Sequence, residues 1–296
     1  MINLKEKYKK IAVLINVRDR PTELAMLLQS LYTQTYDLFD VYVLDDFSGT
    51  PLNVYHFLNC MITRLQLSGH KVQVKRTDFP HGVSKARQNI ANWALESKPL
   101  LLLRIDDDVI LESDFIERLV KVIDKGYDLA SGVTPPMIQP ILKRNKVPEI
   151  GNKVVLDNDG NYILNNDDFG MLYYDDKIID AHHFRSSALY KSKIHEKVNY
   201  TPTKLTKHGF REEQIFSFKC LMEGFKIGVD TQAIAWHQMT PSGGERFAES
   251  NELIKQNEEI LKEFTKEHKD KLNEIFGQPE INSLELMKEV NLAGKI

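Results

Sequence analysis

Apolar positions in the first half of the chain follow two alternating patterns. Short apolar runs predict buried strands at Ile11–Val17, 41–44, 72–74 and 100–105. Apolar residues at helical spacing predict helices that begin at Pro21 and that cover 52–67, Val83–Leu95 and about 113–125. Four consecutive strand–helix units predict an α/β fold with a doubly wound, Rossmann-like, mostly parallel sheet and right-handed crossovers.

The pattern between residues 134 and 240 is less regular. Residues 134–170 hold several prolines, and 157–160 read Asp-Asn-Asp-Gly between two apolar patches. This spacing predicts a hairpin turn within an antiparallel insertion beside the main sheet. Further on, we expect a helix at 212–223 that stops at Gly224, and two short strands at 225–229 and 233–236.

After residue 240 the composition changes. Residues 240–244 read Thr-Pro-Ser-Gly-Gly, which is typical of a flexible loop. Apolar positions from Leu253 to Ile275 then mark one face of a long, charge-rich helix without a sustained heptad repeat. We therefore expect one α/β domain over 1–240 and a loop with a helical extension over 241–296. The extension is expected to pack on the domain's own flank, with a dimer or membrane-surface contact as alternatives.

Composition narrows the functional classes only slightly. The 296 residues include 39 Lys and Arg and 42 Asp and Glu, and the net charge of -3 gives no sign of nonspecific nucleic-acid binding. The longest apolar run, 100–103, is too short to cross a bilayer, and no secretory signal is recognised at the N-terminus. Cys60 and Cys220 exclude a disulfide scaffold, and we expect both to be buried. These features favour a cytoplasmic protein, with peripheral contact to a membrane left open.

Charged residues cluster where the predicted strands end, which is the edge where parallel sheets bind ligands. The strongest cluster is Asp106-Asp107-Asp108, after the fourth strand. Three adjacent carboxylates repel one another unless a cation offsets their charge, and carboxylate oxygens suit Mg²⁺ or Mn²⁺. In an extended segment, Asp106 and Asp108 point to one face and Asp107 to the other. The alternative is a solvated acidic turn that caps the next helix.

Three weaker signals lie at the same predicted edge: Arg18 with Arg20, Asp45 with Asp46, and Arg87. The arginines could contact phosphate, or they could be surface charges that contribute little. The paired aspartates could bind a ligand, or they could form an Asx-type turn. Because such residues recur at successive strand ends, we favour one shared site.

Together these segments resemble the family 2 glycosyltransferases, which are inverting enzymes with the GT-A fold. The resemblance runs from about Lys10 to His237 and rests on five motifs in order. The first four are the opening strand with its arginine-containing loop, Val43-Leu44-Asp45-Asp46-Phe47-Ser48, the segment from Gly82 to Asn89, and Ile105-Asp106-Asp107-Asp108. The fifth is Gly209-Phe210-Arg211-Glu212-Glu213-Gln214, followed by Gly224-Phe225-Lys226-Ile227 and Trp236-His237. Gln88, inserted before Asn89, and Glu213, in place of the family's usual Asp, depart from the family pattern.

On the nucleotide side, the resemblance implies that Asp45 contacts the base and that Arg18 and Arg87 lie near the nucleotide or its phosphates. A further hypothesis comes from loop composition alone. The loop that follows residue 240 could close over the donor, so that Arg246 meets the diphosphate.

On the metal side, the resemblance implies that Asp108 and His237 ligate Mn²⁺ or Mg²⁺. Asp106 would face the ribose or the metal-bound waters, and we assign Asp107 to the donor site with it. The alternative for His237 is a structural imidazole at a strand end.

The general base implied by the resemblance is Glu213, with Glu212 as the alternative. A carboxylate suits the task, because it removes the acceptor's proton as the acceptor attacks the anomeric carbon. The structural alternative is a pair of exposed glutamates at a helix start. The segment 180–186 precedes this helix and is expected to line the acceptor side. Its His182-His183 pair is not expected to form a metal site, because neighbours in a strand face opposite ways.

We therefore expect a metal-dependent inverting transferase that moves a sugar from a nucleotide-diphosphate donor, with UDP suggested by the family. The alternatives are a retaining GT-A transferase and an inactive module that binds nucleotide sugars. The acceptor stays open among a glycan, a lipid-linked sugar, a protein and a modified nucleic acid, and the C-terminal helix could support a homo-oligomer. No Gly-x-Gly-x-x-Gly follows the first strand, which disfavours a dinucleotide-dependent oxidoreductase.

Overall fold

The computed structural model describes residues 4–9, 11–138, 142–156, 161–164, 168–200, 204–241, 243–244 and 250–277. The helices in these ranges are α1 (Leu4–Lys7), α2 (Pro21–Tyr32), α3 (His56–Leu67), α4 (Val83–Leu95), α5 (Phe115–Asp124), α6 (Glu212–Met222), α7 (Ser250–Glu267) and α8 (Lys269–Phe276). The strands are β1 (Ile11–Val17), β2 (Phe39–Asp45), β3 (Val72–Arg76), β4 (Leu101–Asp106), β5 (Val109–Leu111), β6 (Leu129–Val133), β7 (Lys143–Arg144), β8 (Ile150–Gly151), β9 (Val154–Leu156), β10 (Tyr162–Leu164), β11 (Leu172–Tyr173), β12 (Ile178–Ala181), β13 (Ser187–Lys191) and β14 (Ile227–His237). None of these helices has the length and apolar content needed to cross a bilayer.

The main sheet of the described residues follows the order β3-β2-β1-β4-β13-β6-β14-β12-β8, and β5 pairs with β14. Strands β3, β2, β1 and β4 are parallel to one another, as the four strand–helix units predict. Strand β13 runs antiparallel between β4 and β6. The expected α/β fold with a doubly wound, mostly parallel sheet is confirmed.

Strand β1 shows why the first apolar run is continuous. Ile11, Val13, Ile15 and Val17 pack in the core cluster that includes residues of α2, α3 and α5. Ala12 and Leu14 pack in the cluster on the other face, which includes residues of α4 and α6. Because helices cover both faces, most side chains within the strands are apolar, and polar side chains concentrate where the strands end.

The antiparallel insertion is found only in part: β9 and β10 form an antiparallel hairpin, whereas β7 and β8 pair in parallel with β11 and β12. In the hairpin, β9 pairs with β10, with Leu156 opposite Tyr162. The predicted turn at 157–160 lies outside the described residues. Val154 and Tyr162 pack in a third cluster with residues of α6, α7 and α8.

The prediction of two short strands near the end of the sheet is wrong. The structure has one strand of 11 residues, β14, whose register with β6 shifts between Val229 and Ile234. Asp230 stabilises this irregularity, because its carboxylate accepts hydrogen bonds from the N–H groups of Gln232 at 2.8 Å and Ala233 at 3.2 Å. Asp230, Thr231 and Gln232 interrupt the apolar pattern of the sequence, but they do not end the strand.

The single long C-terminal helix that we predicted is two helices, α7 and α8, which meet at His268. Leu272 of α8 is fully buried in the cluster that contains Ile215 and Phe218 of α6. The extension therefore packs on the flank of the α/β domain.

The two cysteines differ in burial. Cys220 is buried in α6, as expected, whereas Cys60 is exposed on α3. The expectation for Cys60 is wrong because α3 buries only Leu58 and Leu65, so its apolar pattern does not reflect a deeply packed helix.

Candidate functional site

The carboxyl ends of β1 and β4 open into a cleft of about 390 Å³, whose other walls include the first turns of α4 and α6. The cleft brings together most of the residues that the sequence singles out: Arg18, Arg87, Asp106, Asp107, Asp108, Glu212, Glu213 and His237. Asp45 is not among its lining residues, and Arg246 lies outside the described part of the chain. The lining also includes Asn16 and Arg104, which the sequence analysis did not assign to the site.

All three aspartates of the acidic segment line the cleft. Strand β4 ends at Asp106, and Asp107 and Asp108 form a turn before β5. The expectation that Asp107 points to the opposite face is therefore wrong, because the segment is not extended there. We call residues 106–108 the acidic turn.

Arg20 is the buried partner of Asp107 and Asp108 in the acidic turn. Its Nη1 donates to Asp107 Oδ1 at 2.9 Å and lies 3.1 Å from Asp108 Oδ2. Burial raises the pKa of Asp107 to about 7, although the charge of Arg20 opposes this shift. Arg20 is only 7% exposed, so it is not a surface charge that flanks α2.

The two predicted metal ligands are neighbours. In the β5–β14 ladder, Val109 pairs with His237, which places the imidazole beside the acidic turn. His237 Nε2 lies 3.3 Å from Asp108 Oδ1. The N–H of Gln238 donates to the Asp108 carbonyl at 2.9 Å and ties the two segments together.

The chemistry of this pair fits a divalent cation. A carboxylate oxygen and an imidazole nitrogen are both ligands of Mn²⁺, and Mg²⁺-type sites need only one or two protein carboxylates, with water and phosphate oxygens completing the shell. Within the described ranges, no set of three or more His, Cys, Asp or Glu side chains forms a metal cluster by itself. A cation held by Asp108 and His237 would therefore depend on water and on a phosphate-bearing ligand.

The two glutamates at the start of α6 have different surroundings. Glu212 is 4% exposed, and its Oε1 accepts a hydrogen bond of 2.5 Å from Arg104 Nη2. Burial raises the pKa of Glu212 to about 7, against the opposing charge of Arg104. Glu213 lines the cleft and is only half-buried. Glu212 is thus committed to a buried ion pair, which excludes the idea of two exposed helix-start glutamates.

Arg104 is the functional candidate that the sequence analysis missed. It is 2% exposed, lies within β4, and approaches Glu212 and, at 3.6 Å, Asp106. Burial lowers the pKa of its guanidinium, but the nearby carboxylates outweigh this effect and raise the pKa above its usual value. Its signal in the sequence is a single charge inside an apolar strand. Arg87 joins the same network, because its Nη2 donates to Asp106.

The neighbouring acids Asp45 and Asp46 have separate partners. Asp45 accepts hydrogen bonds of 2.8 Å from Arg76 Nη1 and from the N–H of Ser48. The Asp46 carboxylate accepts from the N–H groups of His81 at 2.9 Å and Gly82 at 3.0 Å, directly before α4. Contact between Asp45 and a base stays a prediction, whereas Asp46 fixes the entry into α4.

The histidines of the segment 180–186 are buried and separate. His182 Nδ1 accepts a hydrogen bond from the N–H of Val154 at 3.0 Å, and burial lowers the pKa of His182 to about 4. His183 lies 3.2 Å from the carbonyl of Phe184, and burial lowers its pKa to about 3. Only the next residues, Arg185 and Ser186, reach the cleft.

Three solved structures share this fold. S. aureus TarS 1-349 in complex with UDP-GlcNAc has a TM-score of 0.55 and 15% identity, over 88% of this chain and 72% of that chain. GalNAc-T7 with UDP, GalNAc and Mn²⁺ has a TM-score of 0.57 and 14% identity, over 92% of this chain and 59% of that chain. A longer S. aureus TarS chain has a TM-score of 0.53 and 15% identity over 88% of this chain. This chain spans only 43% of its length. These similarities show the GT-A fold.

The curated proteins gave no match. The model of Glycosyl transferase family 2 matches residues 12–198, a range that begins in β1, ends beyond β13 and contains the acidic turn. Since this match covers more than half of the chain, the protein belongs to glycosyl transferase family 2.

Proposed function

We propose that the protein is a metal-dependent, inverting glycosyltransferase that moves a sugar from a nucleotide-diphosphate donor to a hydroxyl acceptor. One observation carries the proposal: a single cleft holds the acidic turn with His237 and also Glu213 at the start of α6. Direct displacement needs this arrangement, because the leaving group and the attacking hydroxyl lie on opposite sides of the anomeric carbon.

Glu213 is the general base of the proposed reaction. The half-buried carboxylate takes the acceptor's proton as the acceptor oxygen bonds to the anomeric carbon. The bond between the anomeric carbon and the diphosphate oxygen breaks in the same step, and its electron pair leaves with the diphosphate. Glu212 is less suited to this task, because Arg104 already occupies its Oε1.

Arg18 lines the cleft, where its guanidinium helps to offset the negative charge of the donor. Arg20 and Arg87 also line the cleft, but Asp107 and Asp106 already offset most of their charge. A divalent cation, when held by Asp108 and His237, would neutralise the charge that develops on the leaving diphosphate. The loop after residue 240 also borders the donor: the N–H of Gly244 donates to the Arg18 carbonyl at 2.7 Å, and Gly244 lines the cleft. The proposal includes closure of this loop over the donor, so that Arg246 meets the diphosphate.

A UDP-sugar is the proposed donor, and Mn²⁺ or Mg²⁺ the proposed metal. Support comes from the structures that share the fold, of which TarS holds UDP-GlcNAc and GalNAc-T7 holds UDP, GalNAc and Mn²⁺. The proposed domain division assigns 1–240 to catalysis and 241–296 to the loop and helical extension. The acceptor class is left open, and so is self-association through the extension.

The test compares Glu213→Gln and Asp108→Ala in a transfer assay with Mn²⁺. We expect Glu213→Gln to lower kcat by about 10²- to 10⁴-fold while UDP-sugar binding persists, because only the proton acceptor is removed. Asp108→Ala should abolish transfer and also weaken metal-dependent donor binding. Glu223→Gln, at the exposed end of the same helix, is the matched control and should keep full activity. Full activity of Glu213→Gln or of Asp108→Ala would contradict the role proposed for that residue.

The stereochemical part of the proposal has its own measurement. NMR of the product gives the configuration at the anomeric carbon, and inversion is expected for a single displacement. Retention would favour the other class of GT-A transferase. Binding of sugar nucleotides without transfer or hydrolysis of any of them would favour an inactive binding module.

A further inference from the structure

The cleft has a polar floor made of four side chains: Asn16, Arg87, Arg104 and Glu212. In the part of the chain that the structure describes, six of their buried atoms have no hydrogen-bond partner. These atoms are Asn16 Nδ2 and Oδ1, Arg87 Nε, Arg104 Nε and Nη1, and Glu212 Oε2. Buried polar atoms are seldom left without a partner, because burial removes their water. Six such atoms in four residues that line the same cleft therefore point to a ligand.

The mixture of atoms indicates what kind of ligand group fits. The polar floor offers N–H donors from Asn16, Arg87 and Arg104, and oxygen acceptors from Asn16 and Glu212. A hydroxyl group both donates and accepts, so several hydroxyls on one ligand would satisfy both kinds of atom. A carboxylate or phosphate can only accept, so it would leave the oxygens of the floor unsatisfied.

The charges of the floor lead to the same conclusion. Arg104 is paired with Glu212, and Arg87 donates to Asp106. The two guanidinium groups are thus offset by two carboxylates, so the floor has no surplus positive charge for an anionic ligand. An uncharged, polyhydroxylated group fits this environment better than an acidic one.

The position of the floor identifies the part of the donor that reaches it, an argument that rests on the proposed function. Asn16 is in register with Asp106 across the β1–β4 pair, beside the acidic turn. Glu212 directly precedes the proposed base, Glu213. The floor therefore lies between the acidic turn, where the donor's diphosphate is proposed to bind, and Glu213, the proposed general base. In a direct displacement, the transferred sugar must occupy that interval.

We propose that the polar floor binds hydroxyl groups of the transferred sugar, with Asn16 donating through Nδ2 and accepting through Oδ1. The floor would then select an uncharged hexosyl group over a glycosyl group that carries a carboxylate. Asn16 would contact the sugar of the donor and not the nucleotide.

Asn16→Leu tests this proposal, because leucine has a similar shape and no polar atoms. Calorimetry with Mn²⁺ would compare the affinity for UDP with those for UDP-glucose, UDP-galactose, UDP-GlcNAc, UDP-GalNAc and UDP-glucuronate. We expect the wild-type protein to bind at least one neutral UDP-hexose more tightly than UDP or UDP-glucuronate. Asn16→Leu should weaken binding of that UDP-hexose by about tenfold, the effect of losing one or two hydrogen bonds, and leave binding of UDP unchanged.

Thr134→Val is the matched control. Thr134 Oγ1 is also buried without a hydrogen-bond partner among the described residues, but it does not line the cleft. Thr134→Val should leave both affinities unchanged. Neither substitution should lower the Tm of the ligand-free protein, because each removes a buried polar group that has no partner.

Three results would overturn the proposal. Unchanged UDP-hexose binding in Asn16→Leu would mean that the floor holds only water, and an equal loss of UDP binding would place Asn16 at the nucleotide. The third is that the wild-type protein binds UDP-glucuronate more tightly than any neutral UDP-hexose. These results leave the proposed transferase function intact. If the wild-type protein binds no nucleoside diphosphate or its sugars, the proposed function fails and the sugar floor fails with it.

Discussion

At the scale of single residues, Asp46 shows how one carboxylate can hold two parts of the site together. It follows β2, yet its hydrogen-bond donors belong to the segment that enters α4. Thr77 Oγ1 also donates to it, at 3.2 Å. Because α4 carries Arg87 into the cleft, Asp46, which also lines the cleft, fixes the position of that arginine.

We expect Asp46→Ala to lower the free energy of unfolding by about 2 kcal/mol or more, because it leaves buried N–H groups without an acceptor. Urea unfolding measures this loss. Asp78→Ala, which removes an exposed aspartate from the same loop, should change stability by less than about 0.5 kcal/mol. Equal effects of the two substitutions would contradict the role of Asp46.

Residue chemistry alone locates much of the site. Carboxylates and arginines at strand ends are visible in a sequence, and the acidic turn, Glu213 and His237 all line the cleft. The place of Arg104 in the site could not be predicted, because its partner, Glu212, is 108 residues away in the sequence. Burial and pairing of this kind depend on tertiary contacts, which residue types do not reveal.

At the scale of elements, the segment that leads into α6 packs directly against the start of α4. The N–H of Val83 donates to the Lys207 carbonyl at 3.0 Å. Gly209, with φ of +69°, lies so close that a Cβ there would be 2.4 Å from Val83 Cβ. This close approach places both helix starts, and therefore Arg87 and Glu213, around one cleft.

Gly209→Ala and Gly224→Ala form a matched pair. Both glycines have positive φ, but Gly224, at +80°, has open space where a Cβ would be. Gly224→Ala should cost about 1 kcal/mol for the left-handed backbone alone. Gly209→Ala should cost at least about 2 kcal/mol, because overpacking against Val83 is added, and should also lower transfer activity. Urea unfolding and the transfer assay would check both effects, and equal losses would refute the close packing.

Elements were predictable to different extents in the two halves. Strands β1 and β4 are buried on both faces, which leaves continuous apolar runs in the sequence. Strands β5 and β13 have three and five residues, and their partners β14 and β4 are distant in sequence, so local pattern does not reveal them. The break between α7 and α8 also lacks a local signal, because the apolar face continues across His268.

At the scale of the whole molecule, three buried histidines make stability depend on pH. Burial lowers the pKa of His182 and His195 to about 4 and that of His183 to about 3. In the unfolded chain, these groups bind protons near pH 6.5. Their contribution to stability is therefore fully present above pH 6.5 and is lost as the pH falls through about 4.

Burial also raises the pKa of Asp107 and Glu212 to about 7, so these two carboxyl groups oppose the fall that the histidines cause. The histidine contribution is therefore measured as a difference between variants, from urea unfolding at a series of pH values between 6.5 and 4. His195→Phe should reduce the loss of unfolding free energy over this pH range by the contribution of one histidine. That contribution is on the order of 1.4 kcal/mol for each unit by which the pKa differs between the folded and unfolded states. His56→Phe, on the exposed face of α3, should leave the slope unchanged. A slope in His195→Phe equal to that of the wild type would show that burial of this imidazole does not cause the pH dependence.

The β5–β14 ladder also determines when the site can form during folding. Asp108 and His237 are about 130 residues apart in the sequence, and the ladder, together with the hydrogen bond from Gln238 to the Asp108 carbonyl, brings them to 3.3 Å. Closing so long a loop is slow, because its entropy is lost before the contacts form. During synthesis, an emerging chain would display the three aspartates long before it supplied the imidazole. Cation affinity at this pair therefore reports on completed folding, and early intermediates would lack it.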